Sequence, residues 1–451
     1  MDTPICDFVR HYTEGNPLRL HMPGHKGKAF LGTESLDITE ITGADSLYEA
    51  DGIIKKSEEN ASFLFGCATY YATEGSSQCI RAMLYLAMLH AQSQGKKPII
   101  AAGRNAHKAF VSAAVLLDIE VAWLFAAQEK SYLSCNISPM ELEHFLNRAE
   151  EKPTAVYITS PDYLGAMADV RGIAQVCKKH GVLLLVDNAH GAYLRFLPAS
   201  LFPIDLGADL CCSSAHKTLP VLTGGAYLHL SKAMQECFFA QVRAAMVLFG
   251  STSPSYLILQ SLDAANPYMA EQRERLKAFI PKVEVLKQEL VAAGYSLCGT
   301  EPMKITIAAK KRGYTGTALS ELLARDNIIC EFADKDYLVL MPTPEIKEDG
   351  LKKLKEAIKC IPQKAVLHET PPVLPIPERV LPLRKAALSL WEMLPTEACE
   401  GRILATPTVA CPPAVPILVC GERIDKNAMA CFRYYGVEEC AVVSEIDKEN
   451  R

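Results

Sequence analysis

The chain has 451 residues, of which about half are apolar and 22% charged, with a formal net charge of −5 at pH 7. That length supports two or three domains with substantial cores, and the mild acidity excludes a nucleic-acid binder, which needs clustered basic charge. No apolar run reaches membrane-spanning length. The start, Met1-Asp2-Thr3-Pro4-Ile5-Cys6-Asp7, lacks the basic and apolar stretches of a signal peptide. A cytoplasmic protein is therefore expected, its sixteen cysteines reduced and mostly buried. No two of them form a C-x-x-C pair, so no metal site is expected.

Residues 1–60 read as an N-terminal arm that includes the turn-rich run His21-Met22-Pro23-Gly24-His25-Lys26-Gly27. A helical pattern starts across Glu58 to Gly66. From there to about 255, short apolar runs (98–102, 155–158, 182–186 and 209–212) alternate with amphipathic helical segments (76–92, 107–117 and 169–180). That alternation predicts an α/β fold with a mostly parallel sheet covered by helices. Residues 254–295 read as one long helical stretch stopped at Gly294. Strands at 303–309 and 337–341 and helices at 316–326 and 346–360 follow on a smaller scale. A proline-rich linker covers 361–382, and the last segment holds a helix (384–393) and the loop Cys411-Pro412-Pro413-Ala414-Val415-Pro416. The expected domains are the arm 1–60, a large domain 61–270, a small α/β domain 271–365 and a C-terminal region 366–451.

In open α/β sheets, ligands sit beyond the carboxyl ends of the strands, and four strand ends here carry reactive side chains. They are followed by Gly103-Arg104-Asn105-Ala106-His107-Lys108, Thr159-Ser160-Pro161-Asp162-Tyr163, Asp187-Asn188-Ala189-His190-Gly191 and Ser213-Ser214-Ala215-His216-Lys217-Thr218. Upstream, Thr73-Glu74-Gly75-Ser76-Ser77 opens a strong helix. Pyridoxal phosphate needs a lysine amine for its aldehyde, a carboxylate for its pyridine nitrogen, and donors for its phosphate. Lys217, Asp187 and the helix start at Gly75, Ser76 and Ser77 supply those types, since a helix N-terminus favours an anion.

These runs resemble the Orn/Lys/Arg decarboxylases, enzymes of the aspartate-aminotransferase-like fold (fold type I) that use pyridoxal 5′-phosphate. The resemblance begins at Met22-Pro23-Gly24-His25-Lys26 and takes in Asp37-Ile38-Thr39, Gly43-Ala44-Asp45-Ser46-Leu47 and Asp51-Gly52-Ile53-Ile54. It continues through the strand-end runs and Ser253-Pro254-Ser255-Tyr256 to Gly401-Arg402-Ile403 and Pro412-Pro413-Ala414-Val415-Pro416. It implies a pyridoxal phosphate domain with a mostly parallel sheet, followed by smaller α+β C-terminal domains. Lys217 would hold the cofactor as a Schiff base, with His216 and Ser214 near the phosphate. Asp187 would pair with the pyridine nitrogen, His107 would stack on the ring, and Gly75, Ser76 and Ser77 would hold the phosphate. His190 would line the ring and, with Lys217, serve protonation at Cα after a quinonoid stage. His25 and Lys26 would shape a loop or bind substrate. Ser251 and Thr252 would reach the phosphate of a partner subunit, since the fold places its site at a homodimer interface.

Three positions depart from the family pattern. Asn188 replaces an acidic residue, Glu74 replaces an asparagine of the phosphate loop, and Cys411-Pro412-Pro413-Ala414 replaces Tyr-Pro-Pro-Gly. The last lies where specificity is tuned, so arginine, lysine and ornithine all stay open as substrates. The short form without an N-terminal wing domain resembles the biosynthetic arginine decarboxylases of polyamine synthesis. Two other readings stand beside decarboxylation. One is a different reaction on the same fold, transamination or lysis, for which Arg402 is a carboxylate-binding candidate by type. The other is a non-catalytic homologue.

Overall fold

The computed structural model describes residues 1–127, 131–347, 349–407 and 413–445. The chain opens with α1 (Pro4–Glu14), α2 (Ile53–Phe65), β1 (Ala68–Ala72) and α3 (Gly75–Ser93). Then come β2 (Ile99–Gly103), α4 (Lys108–Leu117), β3 (Glu120–Leu124), α5 (Pro139–Arg148), β4 (Ala155–Thr159) and α6 (Val170–His180). Next are β5 (Leu183–Asp187), β6 (Leu210–Ser213), the one-turn α7 (Ala215–Thr218), β7 (Ala226–Leu230), α8 (Lys232–Phe238), α9 (Val242–Leu248), α10 (Tyr256–Ala270) and α11 (Gln272–Ala292). Smaller elements follow: β8 (Leu297–Cys298), β9 (Ile305–Ala308), α12 (Gly316–Arg325), β10 (Phe332–Ala333), β11 (Tyr337–Leu340) and α13 (Gly350–Cys360). The last are α14 (Leu383–Ala387), β12 (Trp391–Pro395), α15 (Lys426–Tyr435) and β13 (Glu439–Val443).

The large sheet has seven strands in the order β1-β7-β6-β5-β4-β2-β3. β2 runs parallel to β3 and β4, and β5 parallel to β6, while β7 is antiparallel to both β6 and β1. All five residues of β2 and of β5 are buried, which is why both read as unbroken apolar runs rather than as alternation. The chain divides into two compact units, residues 1–95 with 170–277 and residues 96–169 with 278–451.

In the first unit, two buried carboxylates tie down the N-terminal segment. Asp45 accepts the backbone N–H groups of Ser46, Asp51, Gly52, Ile54 and Lys55 at 2.9–3.4 Å. It thus closes a loop and caps α2, whose N-cap residue, Gly52, has no side chain to do so. Asp263 of α10 accepts the amides of Ile5 and Cys6, each at 2.9 Å, at the start of α1. Its other oxygen takes the Ser57 hydroxyl at 2.6 Å. His229, a residue of β7, is fully buried among Phe65, Phe202 and Tyr227 and bonded to Thr69 Oγ1 at 3.0 Å and Ser213 Oγ at 3.2 Å. Burial holds its imidazole neutral, lowering its pKa to about 3.

The second unit carries a four-stranded antiparallel sheet, β10-β11-β9-β8, and the two-stranded β12-β13. Its helix α5 starts with a capping box in which Ser138 Oγ accepts from Glu141 N and the Glu141 carboxylate accepts from Ser138 N. Leu404, Leu418, Ile424, Phe432 and Val442 pack the core that joins α15 to β13.

Three local expectations are corrected. The helix expected from Glu58 begins at Ile53, where the Asp45 cap supplies a start that is remote in sequence. The stretch 254–295 is two helices. Pro267 has no N–H to extend the ladder, and one turn later the Glu271 amide bonds to Tyr268 O at 3.2 Å instead of continuing the α pattern. The helix expected at 384–393 stops at Ala387, and residues 391–395 form β12 because residues 439–443 pair with them. No disulfide joins any of the described cysteines. No described group of three or more His, Cys, Asp or Glu is placed to hold a metal ion. No described helix is long and apolar enough to cross a membrane.

Candidate active site

Strand register sets the first part of the site. Asp187, the last residue of β5, lies opposite Cys212 of β6, so the chain beyond each strand turns at the same level. Asp187 is 3% exposed. Its Oδ1 accepts from Ala189 N at 3.1 Å and from the Cys212 thiol at 3.5 Å. Past β6 the chain makes the single turn α7, which carries His216 and Lys217. Lys217 Nζ lies 2.9 Å from His190 Nε2. His216 Nδ1 is 2.9 Å from Gly225 O, which holds the histidine beside its own turn.

The start of α3 forms the second part. Ser76 Oγ accepts from Ser214 Oγ at 2.8 Å, joining this helix to the residue before α7. Gly75 has φ +71°, a left-handed conformation that a side chain would strain. Its amide donates to Gly224 O at 2.7 Å. Glu74, at the N-cap, is exposed and makes no side-chain cap. Both Ser76 and Ser77 are partly accessible.

The donor set fits pyridoxal phosphate. The N-terminus of α3 has no capping side chain and offers amide and hydroxyl donors to an anion. A buried carboxylate ends β5, and an amine stands one turn past β6. Two buried hydroxyls, Thr73 Oγ1 just before α3 and Thr218 Oγ1 just after Lys217, have no partner among the described residues. Groups of that kind mark a place where another molecule completes the hydrogen bonding.

Asn188 has a local explanation. The residue is fully buried, its amide donates to Ser213 Oγ at 3.0 Å, and its Oδ1 lies where a Cβ on Gly191 would come to 2.1 Å. A carboxylate there would be a second buried negative charge next to Asp187; the amide avoids that cost. His25 Nε2 is 3.2 Å from Asp37 Oδ2, and His25 Nδ1 accepts from Gly27 N at 3.0 Å, so this histidine shapes its loop.

Ser251 and Thr252 are exposed on the loop between α9 and α10, and Ser251 Oγ accepts from Ser253 N at 3.1 Å. His107 belongs to the second unit. It caps α4, its Nδ1 accepting from Ala109 N at 3.1 Å, which leaves the proton of the neutral ring on Nε2. Three residues before it, Arg104 forms a buried pair with Glu422 at 2.7 Å. The sequence shows Arg104 within the run 103–108 but no role for it. The signal was its place at a strand end, three residues before His107. Cys411 and Pro412, at the departure from the family's late motif, lie outside the described residues. Ala414 is described and has φ +57°.

A family model described as Orn/Lys/Arg decarboxylase, major domain, matches residues 3–297, and one for the C-terminal domain of the same family matches residues 383–441. The chain is 30% identical over 470 residues to the uncharacterized protein YaaO of Bacillus subtilis, covering 95% of this chain and 93% of that one. It is 28% identical over 466 residues to an arginine decarboxylase of Halalkalibacterium halodurans, covering 96% and 93%. In fold it resembles the lysine decarboxylase LdcF of Francisella novicida, with a TM-score of 0.78 at 15% identity over 98% of this chain and 81% of that one. A sheet of this order, a lysine one turn past a strand end and a family match through both the large and the C-terminal regions lead to one conclusion. The chain belongs to the Orn/Lys/Arg decarboxylase family, whose members are pyridoxal-phosphate-dependent amino-acid decarboxylases.

Proposed function

We propose that this protein removes the α-carboxylate of arginine, lysine or ornithine as carbon dioxide and releases the amine, with pyridoxal phosphate held at Lys217. The observation that carries the reading is the approach of Lys217 Nζ to His190 Nε2 at 2.9 Å, beside the buried carboxylate of Asp187. When bound, pyridoxal phosphate supplies an aldehyde for an amine and a protonated ring that takes up the electrons of the broken Cα–carboxylate bond.

The chain's own residues have distinct tasks in this proposal. Asp187, held by Ala189 N and the Cys212 thiol, would pair with the ring nitrogen in a buried place where low dielectric strengthens the interaction. Ser76, Ser77, Gly75 and Ser214 hold the phosphate at the start of α3, with His216 at the same turn. Lys217 and His190 pass a proton between Nζ and Nε2, so that one of them can deliver it to Cα once the carboxylate has left. His107 would stack on the ring, its Nδ1 being taken by the Ala109 amide. The family implies a site shared by two subunits. In such a pair the exposed Ser251 and Thr252 would reach the partner's phosphate.

Arginine is placed first among the substrates because full-length relatives carry the name arginine decarboxylase. Transamination is disfavoured because Arg402, the candidate carboxylate binder, is engaged with Glu392 at 2.6 Å and Val443 O at 2.9 Å. The test is to incubate the protein and pyridoxal phosphate with each of the three amino acids and to follow carbon dioxide and amine. Release of both from one substrate is expected. Keto acid without carbon dioxide would replace this reading with transamination.

A further inference from the structure

The loop after β2, residues 103–108, is gripped on both sides of the site where it presents His107. At one end, Arg104 Nη2 lies 2.7 Å from Glu422 Oε2 and 3.0 Å from Ile417 O. Its guanidinium lies over the Trp123 ring of β3 at 4.9 Å, and its backbone N–H donates to Leu124 O at 3.1 Å. Glu422 is 3% exposed, and the same Oε2 accepts from Val419 N at 2.7 Å. At the other end, the N–H of Lys108, the residue after His107, donates to Ala414 O at 2.8 Å. Ala414 makes that bond from a left-handed backbone at φ +57°, a conformation an alanine adopts only when its surroundings impose it.

We propose that Arg104 and Glu422 are positioning residues for His107, locking its loop to the C-terminal segment 413–422 so that the imidazole is fixed before the cofactor ring arrives. A buried ion pair adds little net stability over an apolar replacement of the same volume. Directional contacts from one guanidinium to a carboxylate, a carbonyl and a ring instead fix orientation. The grips at 104 and 108 bracket His107, and the ring itself is fixed through Nδ1 by the Ala109 amide. The C-terminal region thereby takes part in cofactor capture without touching the cofactor. This proposal rests on the reading of His107 as a ring-stacking residue.

The test titrates apoprotein with pyridoxal phosphate and reads the dissociation constant, in wild type and in a His107→Ala background. Arg104→Gln and Glu422→Gln are each expected to weaken binding about tenfold in wild type, the lower end of what orienting partners are worth. The double variant should be no weaker than the weaker single one. In the His107→Ala background the same changes should shift the constant by less than about twofold. A tenfold loss that persists without His107, or no loss in wild type, overturns the proposal. If His107→Ala alone leaves affinity unchanged, the reading of His107 falls and the proposal falls with it, while Lys217 is untouched. Should Arg104→Gln give no folded protein, the isosteric Glu422→Gln carries the test alone, because it keeps the shape of the side chain and removes the charge that holds the guanidinium.

Discussion

The loops that carry His190 and His107 are fixed in opposite ways. The turn after β5 holds His190 against Lys217, 27 residues on, and it is tied to Ser213 and Cys212, which are no more remote. The loop after β2 holds His107 through Glu422, 318 residues from Arg104. The first arrangement follows from the register of two adjacent parallel strands. The second depends on a separate stretch of chain folding onto it. Chemistry placed by strand register is robust and compact; chemistry placed by a distant clasp can be lost without touching any reacting group.

The comparison can be broken most sharply at Lys217. Lys217→Ala should cost more than ~10³-fold in amine release and remove the visible absorption of the bound cofactor, yet leave the thermal midpoint of the apoprotein nearly unchanged. Collapse of the fold on that change would show that the first loop is not locally fixed. The next effect belongs to the second loop. Glu422→Ala strands the Arg104 charge in a buried place, and loss of one partner from such a pair costs about 3–5 kcal/mol. Amide hydrogen exchange should quicken at 103–108 and 413–422, with 187–191 keeping its protection. Equal loosening of both loops would erase the distinction between them.

The smallest effect sharpens the first region alone. His229, on β7, has a pKa near 3 in the folded chain against about 6.5 when exposed. The unfolded chain therefore binds the proton first as pH falls, so the stabilisation is complete above pH 6.5 and declines below it. By pH 5 the decline from this residue is about 2 kcal/mol. Denaturant unfolding of His229→Gln should lose that much less than wild type between pH 7.5 and pH 5, and an identical decline in both would remove His229 as a source of acid sensitivity.

The contrast between local and remote support also explains what the sequence displays. The apolar runs of β2, β4, β5 and β6 are legible because each is buried over its whole length or nearly so. Lys217, Asp187 and Ser76 are legible because short runs surround them. The turn from strand to helix at 384–393 is not, since β12 exists only through its pairing with β13. Asp45 sits in a run that resembles the family, but its capping of α2 lies nine residues away and could not be read from the run. Arg104 was in plain view, and its partner was not.

The clasp on the His107 loop sets an order in time. A ribosome adding ~5–20 residues per second reaches Glu422 roughly 15–60 s after Arg104, a separation of 318 residues. All seven strands of the large sheet have been made by residue 230. A growing chain can therefore hold every strand of its sheet while the loop that carries His107 still waits for its lock.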